Sequence, residues 1–303
     1  MKLLKILFWC LLIFKIPAVS ANVPLESVHE YYSYASDAFE RQDWLNVVKF
    51  CKVIIQKYPE SSFTKDALFS LGVAYFNLKD YEISNKYFTR YLKDDFNPKY
   101  FEETMHYKFL IAKNFKQGSK KRLFGWKKGP KVVFAEEDAL AIFDEVIATM
   151  PTHELAPKAM FAKGELLFKD EEYKDSIATF ESLIERFEKH ELAIESYIEI
   201  GKVYLKQTTY KKQDPDLLDL AEFNFNKFKE SYPQEKEKIT ELQVIVLEMR
   251  EMFAKGFLDI AKFYEKTNKK DAALIYYSKI INGFSDTESS KTAQARFDKL
   301  NEK

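Results

Sequence analysis

An all-α solenoid of helical pairs is the fold this sequence predicts, and three observations predict it. The first is one set of residues: Leu68, Leu71, Gly72 and Tyr75, then Ser84 and Phe88, closing on Tyr91, Leu92 and Pro98. It spaces small and apolar positions as two consecutive helices would, and partial copies recur along the chain. The second is a scarcity of turn formers. Eight glycines and nine prolines accompany a hydrophobic content of 46%, which leaves little room for an all-β protein. The third is the 31% of charged residues, enough to coat the outer faces of an array. A lone helical pair cannot bury its apolar face, so pairs must stack, and stacking creates a concave surface.

The Leu68–Pro98 residues are close to the tetratricopeptide pattern, L-G-x2-Y in a first helix and A-x3-F followed by Pro in a second. A residue as small as Gly72 lets the paired helix approach closely, and Tyr75 and Phe88 fill the space beside it. The sequence predicts about six such pairs and a C-terminal capping helix over residues 22–303.

Residues 1–21 stand outside that fold and predict a signal peptide. Lys2 and Lys5 form a basic start, Ile6–Phe14 is a nine-residue apolar stretch ending at Lys15, and Val19-Ser20-Ala21 supplies small residues for cleavage before Asn22. Nine apolar residues fall far short of the roughly 20 that span a bilayer. Phe8 and Trp9 ahead of Cys10 are too bulky for a lipoprotein cleavage site. Cleavage after Ala21 would leave Cys51 as the one cysteine and rule out an intramolecular disulfide, which a helical array does not need. The whole chain is formally neutral, and loss of three lysines makes the mature form about three units negative. That excludes a globally basic nucleic-acid binder.

The first pair spans about Leu25–Tyr58, with Tyr31, Tyr34, Ala35 and Ala38 on one face, a polar break at 41–43, and Asp43 as N-cap before Trp44. The second is the copy described above. The third pairs a helix over about 99–116 with one carrying Ala139, Phe143 and Pro151, interrupted by an insertion at 117–131. The fourth has Met160, Gly164 and Leu167, then Phe180 and Leu183. The fifth has Gly201 and Tyr204, then Ala221, Phe225 and Pro233. Ala221 falls eight residues late, so 207–216 reads as a longer polar turn in which Asp214 or Asp216 caps the next helix. The sixth has a long first helix over about Ile239–Tyr264, then Ala273, Tyr277 and Ile280. Asp271 and Thr287 are expected as N-caps, and about Thr287–Leu300 as a mostly polar terminal helix.

No catalytic constellation is present, so the chain is not expected to be an enzyme. His29, His106, His153 and His190 lie in different repeats without a second metal-type ligand at helical spacing, and His153 reads as a helix-start residue. No phosphate loop, serine elbow or zinc spacing occurs. No cofactor or metal is expected.

Two surfaces are candidates for partners. First-helix positions not used in pair packing should line the concave face, and in the first two pairs these include Tyr32, Phe39, Phe69, Val73 and Phe76. Exposed aromatics there would form an apolar binding patch; core packing is the other reading. The second candidate is the insertion. Lys113–Lys131 contains eight basic residues and no acidic one, including Lys120, Lys121, Arg122, Lys127 and Lys128, around the apolar Phe124 and Trp126. Three readings stay open: contact with anionic lipid headgroups, docking to an acidic partner, or a loop folded back on the array.

The array, export signal and insertion together resemble the BamD/ComL family of outer-membrane β-barrel assembly factors. The residues that carry this are the Tyr31–Trp44 segment, Tyr58-Pro59, Asp66-Ala67-Leu68, and Leu123-Phe124-Gly125 ahead of the helix Ala139–Ile147. The resemblance implies a periplasmic scaffold at the inner face of the outer membrane. It would bind unfolded outer-membrane proteins near its N-terminal pairs and the barrel-assembly subunit near its C-terminal pairs. Two departures matter: the family's lipobox cysteine is missing, and the loop continues as Trp126-Lys127-Lys128-Gly129 where the family has Asp and Arg. The repeat protein associated with the Tol–Pal system is similar over Tyr58–Phe88, but carries an N-terminal coiled coil for which residues 22–30 leave no room. A secreted repeat protein that binds host factors is the third reading.

Overall fold

A computed structural model describes residues 27–93, 97–123, 129–209 and 213–302, and every structural statement below concerns those residues. The signal peptide expected over 1–21, and Phe124, Trp126, Lys127 and Lys128 of the insertion, lie outside them.

Thirteen helices form six pairs and a cap, as the sequence predicts. The pairs are α1 (Val28–Glu40) with α2 (Trp44–Lys57), α3 (Phe63–Asn77) with α4 (Tyr81–Leu92), and α5 (Phe101–Lys116) with α6 (Glu136–Thr149). They continue as α7 (Leu155–Lys169) with α8 (Tyr173–Arg186), α9 (Glu191–Gln207) with α10 (Pro215–Ser231), and α11 (Lys236–Lys266) with α12 (Lys270–Gly283). The cap is α13 (Glu288–Asn301). The fold is a tetratricopeptide-type solenoid, with one addition to the all-α expectation. The insertion forms an antiparallel ribbon, β1 (Lys120–Arg122) with β2 (Lys131–Phe134), in register Lys120 to Phe134.

The glycine–phenylalanine contact explains the spacing of the repeat. A Cβ placed on Gly72 would lie 2.5 Å from the Phe88 ring, and one on Gly164 would lie 2.7 Å from the Phe180 ring. Both rings are fully buried. In both pairs a hydroxyl one turn into the second helix completes the seam: Ser84 Oγ donates to the Gly72 carbonyl at 2.7 Å, and Ser176 Oγ to the Gly164 carbonyl at 2.9 Å.

The turn inside a pair is a second repeated device, one that composition does not announce. Gln42, Lys79, Gly118, Glu171 and Asn268 each follow a first helix by two residues, and each has a positive φ between 55° and 95°. Around Lys79, its own N–H donates to the Phe76 carbonyl and the next N–H, of Asp80, to the Tyr75 carbonyl; the other four turns repeat both bonds. This double bond satisfies the last carbonyls of the helix and reverses the chain. In pair five, where the sequence predicts a longer turn, α9 ends at Gln207 and α10 begins at Pro215.

Capping follows the sequence at most ends. The Asp43 carboxylate accepts from the Asn46 N–H, Asp214 from Asp216, and Thr287 from Ser290. Asp271 is a correction: the helix begins earlier, at Lys270, which leaves this acidic residue inside the first turn, where it complements the helix dipole. In α10 the fully buried ring is Phe228, and Phe225 is half-buried, a register change explained below.

Helix α11 joins two halves of the core. Its 31 residues, about 46 Å of helix, bury Leu242, Ile245, Val246, Met249 and Phe253 against α9 and α10. Ala254, Leu258 and Ala261 then pack on α12 and α13. Gly256 lets the Gln213 side chain lie across the helix, where its Nε2 donates to the Met252 carbonyl at 2.7 Å.

Candidate partner-binding groove

The first helices of pairs two to five line one side of the array and leave a groove of about 1120 Å³. Its floor is apolar, made by Phe76 of α3, Tyr107, Phe109 and Leu110 of α5, Leu155 and Phe161 of α7, and Leu192 of α9. Its rims carry both signs of charge. Lys116 pairs with Glu165 and Lys158 with Glu154, and Glu102 and Glu103 stand on the α5 wall. His153 and His190 act as helix starters: their Nδ1 atoms accept the N–H groups of Leu155 and Leu192 at 3.2 and 3.1 Å.

Next to it, between α1 and α3, a smaller hollow of about 240 Å³ is lined by Tyr32, Phe39, Phe69 and Tyr100. Phe69 stacks on Tyr100 at 4.3 Å, and Tyr32 stacks on Phe63 at 4.3 Å while its hydroxyl donates to Asp66 at 3.1 Å. Burial first, and the Asp66 carboxylate second, push the Tyr32 hydroxyl above its ordinary range, so it stays a neutral donor.

The five groove residues named from sequence therefore separate. Tyr32, Phe39 and Phe69 line the small hollow, and Phe76 lines the large groove in edge contact with Tyr107 at 5.1 Å. Val73 does not belong with them: it is 3% exposed and packs with Phe88, Met105 and Phe109. It follows Gly72, where the close approach of α4 draws that side of α3 into the core. Tyr100, Leu110, Phe161 and Leu192 were not singled out from sequence, because their place in the groove depends on how neighbouring pairs stack.

The basic insertion is largely committed to the chain itself. The Arg122 guanidinium grips both oxygens of Asp80 at 2.7 and 2.6 Å, and Lys131 stands 3.5 Å from the same carboxylate. Lys121 pairs with Asp138 at the start of α6. Burial alone would raise the Asp80 pKa, but the Arg122 hydrogen bonds and the Lys131 and Arg122 charges outweigh it and hold the carboxyl below its ordinary range. Lys120 lies over the Phe134 ring at 4.7 Å, and Leu123, Val132 and Phe134 are exposed beside it. Lys121 and Arg122 thus anchor the ribbon to pairs two and three.

Lys108 of α5 is fully buried, and its ammonium reaches Asn85 at 2.9 Å, Thr89 at 2.8 Å and Glu145 at 3.0 Å. Three acceptors satisfy the three protons and tie α4, α5 and α6 together; burial lowers its pKa against the pull of Glu145. Cys51 is a core residue whose thiol burial pushes up to about 12. Among the described residues, no helix is long and apolar enough to cross a membrane.

Stacked helical pairs with an aromatic-floored inner groove define a protein-binding scaffold of the repeat class, and residues 66–95 match the tetratricopeptide repeat family. Residues 133–303 match the YfiO family, described as outer membrane lipoprotein, and the chain belongs to that family. The matched span begins within β2. The N-terminal segments and the Leu123-Phe124-Gly125 loop that carry the resemblance in the sequence lie ahead of it.

Among solved structures the chain is similar to a TPR repeats protein from Bacteroides fragilis, at 10% identity over 91% of this chain and 100% of that one, with a TM-score of 0.44. It is also similar to a tetratricopeptide repeat protein from Parabacteroides merdae, at 15% identity, 91% and 99% coverage and a TM-score of 0.40. A third is PilW, a type IV pilus biogenesis factor, at 14% identity, 89% and 99% coverage and a TM-score of 0.31. No curated protein matches the chain.

Proposed function

We propose that the protein is a non-catalytic periplasmic scaffold for outer-membrane β-barrel assembly, holding unfolded barrel segments in its inner groove while its C-terminal pairs engage the barrel-assembly subunit. The observation that carries this reading is the groove of α3, α5, α7 and α9, whose floor is apolar and aromatic and whose rims bear both charges. Such a surface fits an extended segment with alternating apolar and polar residues, the pattern of a barrel strand. Membership of an outer-membrane lipoprotein family supports an envelope location. Peripheral membrane contact falls to the ribbon, where Leu123, Val132 and Phe134 are exposed beside Lys120.

The test is fluorescence anisotropy of a labelled peptide copying one barrel strand. The full-length protein should bind it, and Leu110→Asp should weaken binding about tenfold or more, the equivalent of about 1.4 kcal/mol. Unchanged affinity in a folded Leu110→Asp variant would overturn the assignment of the groove.

A further inference from the structure

The fifth pair breaks the repeat, and the break builds a second groove. In pairs two and four a serine of the second helix bonds the glycine carbonyl of the first. In pair five the corresponding tie is Asn224 Nδ2 donating to the Tyr197 carbonyl at 2.9 Å, one turn before Gly201. Four residues at about 1.5 Å each displace the contact by about 6 Å along α9. Gly201 instead receives Leu242 of α11, which would lie 2.5 Å from an added Cβ. The slip also places Phe228, not Phe225, in the core.

The displaced α10 leaves a trough of about 550 Å³ between itself and α8, floored by Ile200 and Tyr204 of α9. One wall holds Glu181, Glu185 and Glu188, all exposed. Glu181 and Glu185 stand one turn apart on one face of α8, and Glu188 follows in the turn just past the helix end at Arg186. Among the described residues none of the three is in a salt bridge, whereas in the trough between α11 and α13 Glu251 is held by Ser289 and Asp286 by Arg250. The opposite wall exposes Leu220 at 45% and Phe223 at 67%, with Lys227 beyond them.

We propose that the α8–α10 trough docks a basic amphipathic helix of a protein partner. Lys or Arg at i and i+4 of that helix would face Glu181 and Glu185, a further basic residue near its end would face Glu188, and its adjoining apolar stripe would cover Leu220 and Phe223. The charge match sets orientation and association rate, and the apolar wall supplies the buried contact. This surface is separate from the inner groove and does not depend on what the groove holds.

Two labelled peptides of about 18 residues, five helical turns, test it by anisotropy against the full chain. One carries lysines at the stated spacing beside a leucine stripe, and the other replaces every lysine with glutamate. The lysine peptide should bind. Its affinity should fall about tenfold or more with Glu181→Lys/Glu185→Lys/Glu188→Lys, and likewise with Phe223→Ser, with circular dichroism unchanged. The glutamate peptide should bind only the triple variant, and Leu110→Asp should leave lysine-peptide binding intact. No binding of the lysine peptide, equal binding by the triple variant, loss with Leu110→Asp, or self-association through Phe223 would each overturn the proposal.

Discussion

Replacing Gly164 with alanine tests the packing logic of the array most sharply, because two opposing effects have calculable sizes. An alanine in the middle of α7 gains about 1 kcal/mol of helix propensity. Its methyl would lie 2.7 Å from two ring carbons of Phe180, a fully buried residue edge-packed on Phe161 at 5.5 Å. Forcing a methyl into so tight a seam costs about 1–3 kcal/mol, and a rigid aromatic ring places the cost near the upper end. The expected net loss is about 1–2 kcal/mol. In a Phe180→Leu background the clashing ring atoms are gone, so Gly164→Ala should become neutral or stabilising by up to about 1 kcal/mol. Urea unfolding followed by circular dichroism, run on the four proteins of the cycle, reads the coupling. Equal costs in both backgrounds, within about 0.5 kcal/mol, would refute the reasoning.

Two further outcomes follow. Asp80→Asn should cost about 2 kcal/mol locally, since it weakens a charged double hydrogen bond, and it should speed amide exchange across Lys120–Arg122. Because the folded Asp80 pKa is depressed, this contribution is complete above the ordinary value of about 4 and is lost as pH falls through the lower folded value; exchange at β1 that does not change with acid would contradict it. At the left-handed turns, Lys79→Gly and Glu171→Gly should each raise stability by about 0.5–1 kcal/mol, and Gly118→Ala should lower it by about 1 kcal/mol although open space surrounds its Cβ position. Thermal melts decide between conformational strain and steric packing.

The sequence made the array legible because its seam is chemical. Gly72 with Phe88 and Gly164 with Phe180 are spacings only a close helix pair explains, and oxygen-bearing residues at 43, 214 and 287 mark helix starts. The left-handed turns were hidden because Gln42, Lys79, Glu171 and Asn268 carry no glycine signal and adopt the conformation through flanking helix geometry. The ribbon read as a basic loop because its anchor, Asp80, lies 42 residues from Arg122. Nothing in the sequence marks Lys108 as buried, since its burial depends on Asn85, Thr89 and Glu145 arriving from two other helices. The slip of α10 showed only as a late Ala221; that it exposes Phe223 beside three glutamates required the helices to be placed.

The central claim is that the inner face of the first helices is where partners sit. A photo-crosslinking residue placed at His106, on the α5 wall of the groove, tests it directly in intact envelopes, with Lys174 on the exposed side of α8 as the reference. The account predicts adducts with outer-membrane β-barrel proteins from position 106 and none from position 174. Equal adducts from both positions, or none from 106, would contradict it.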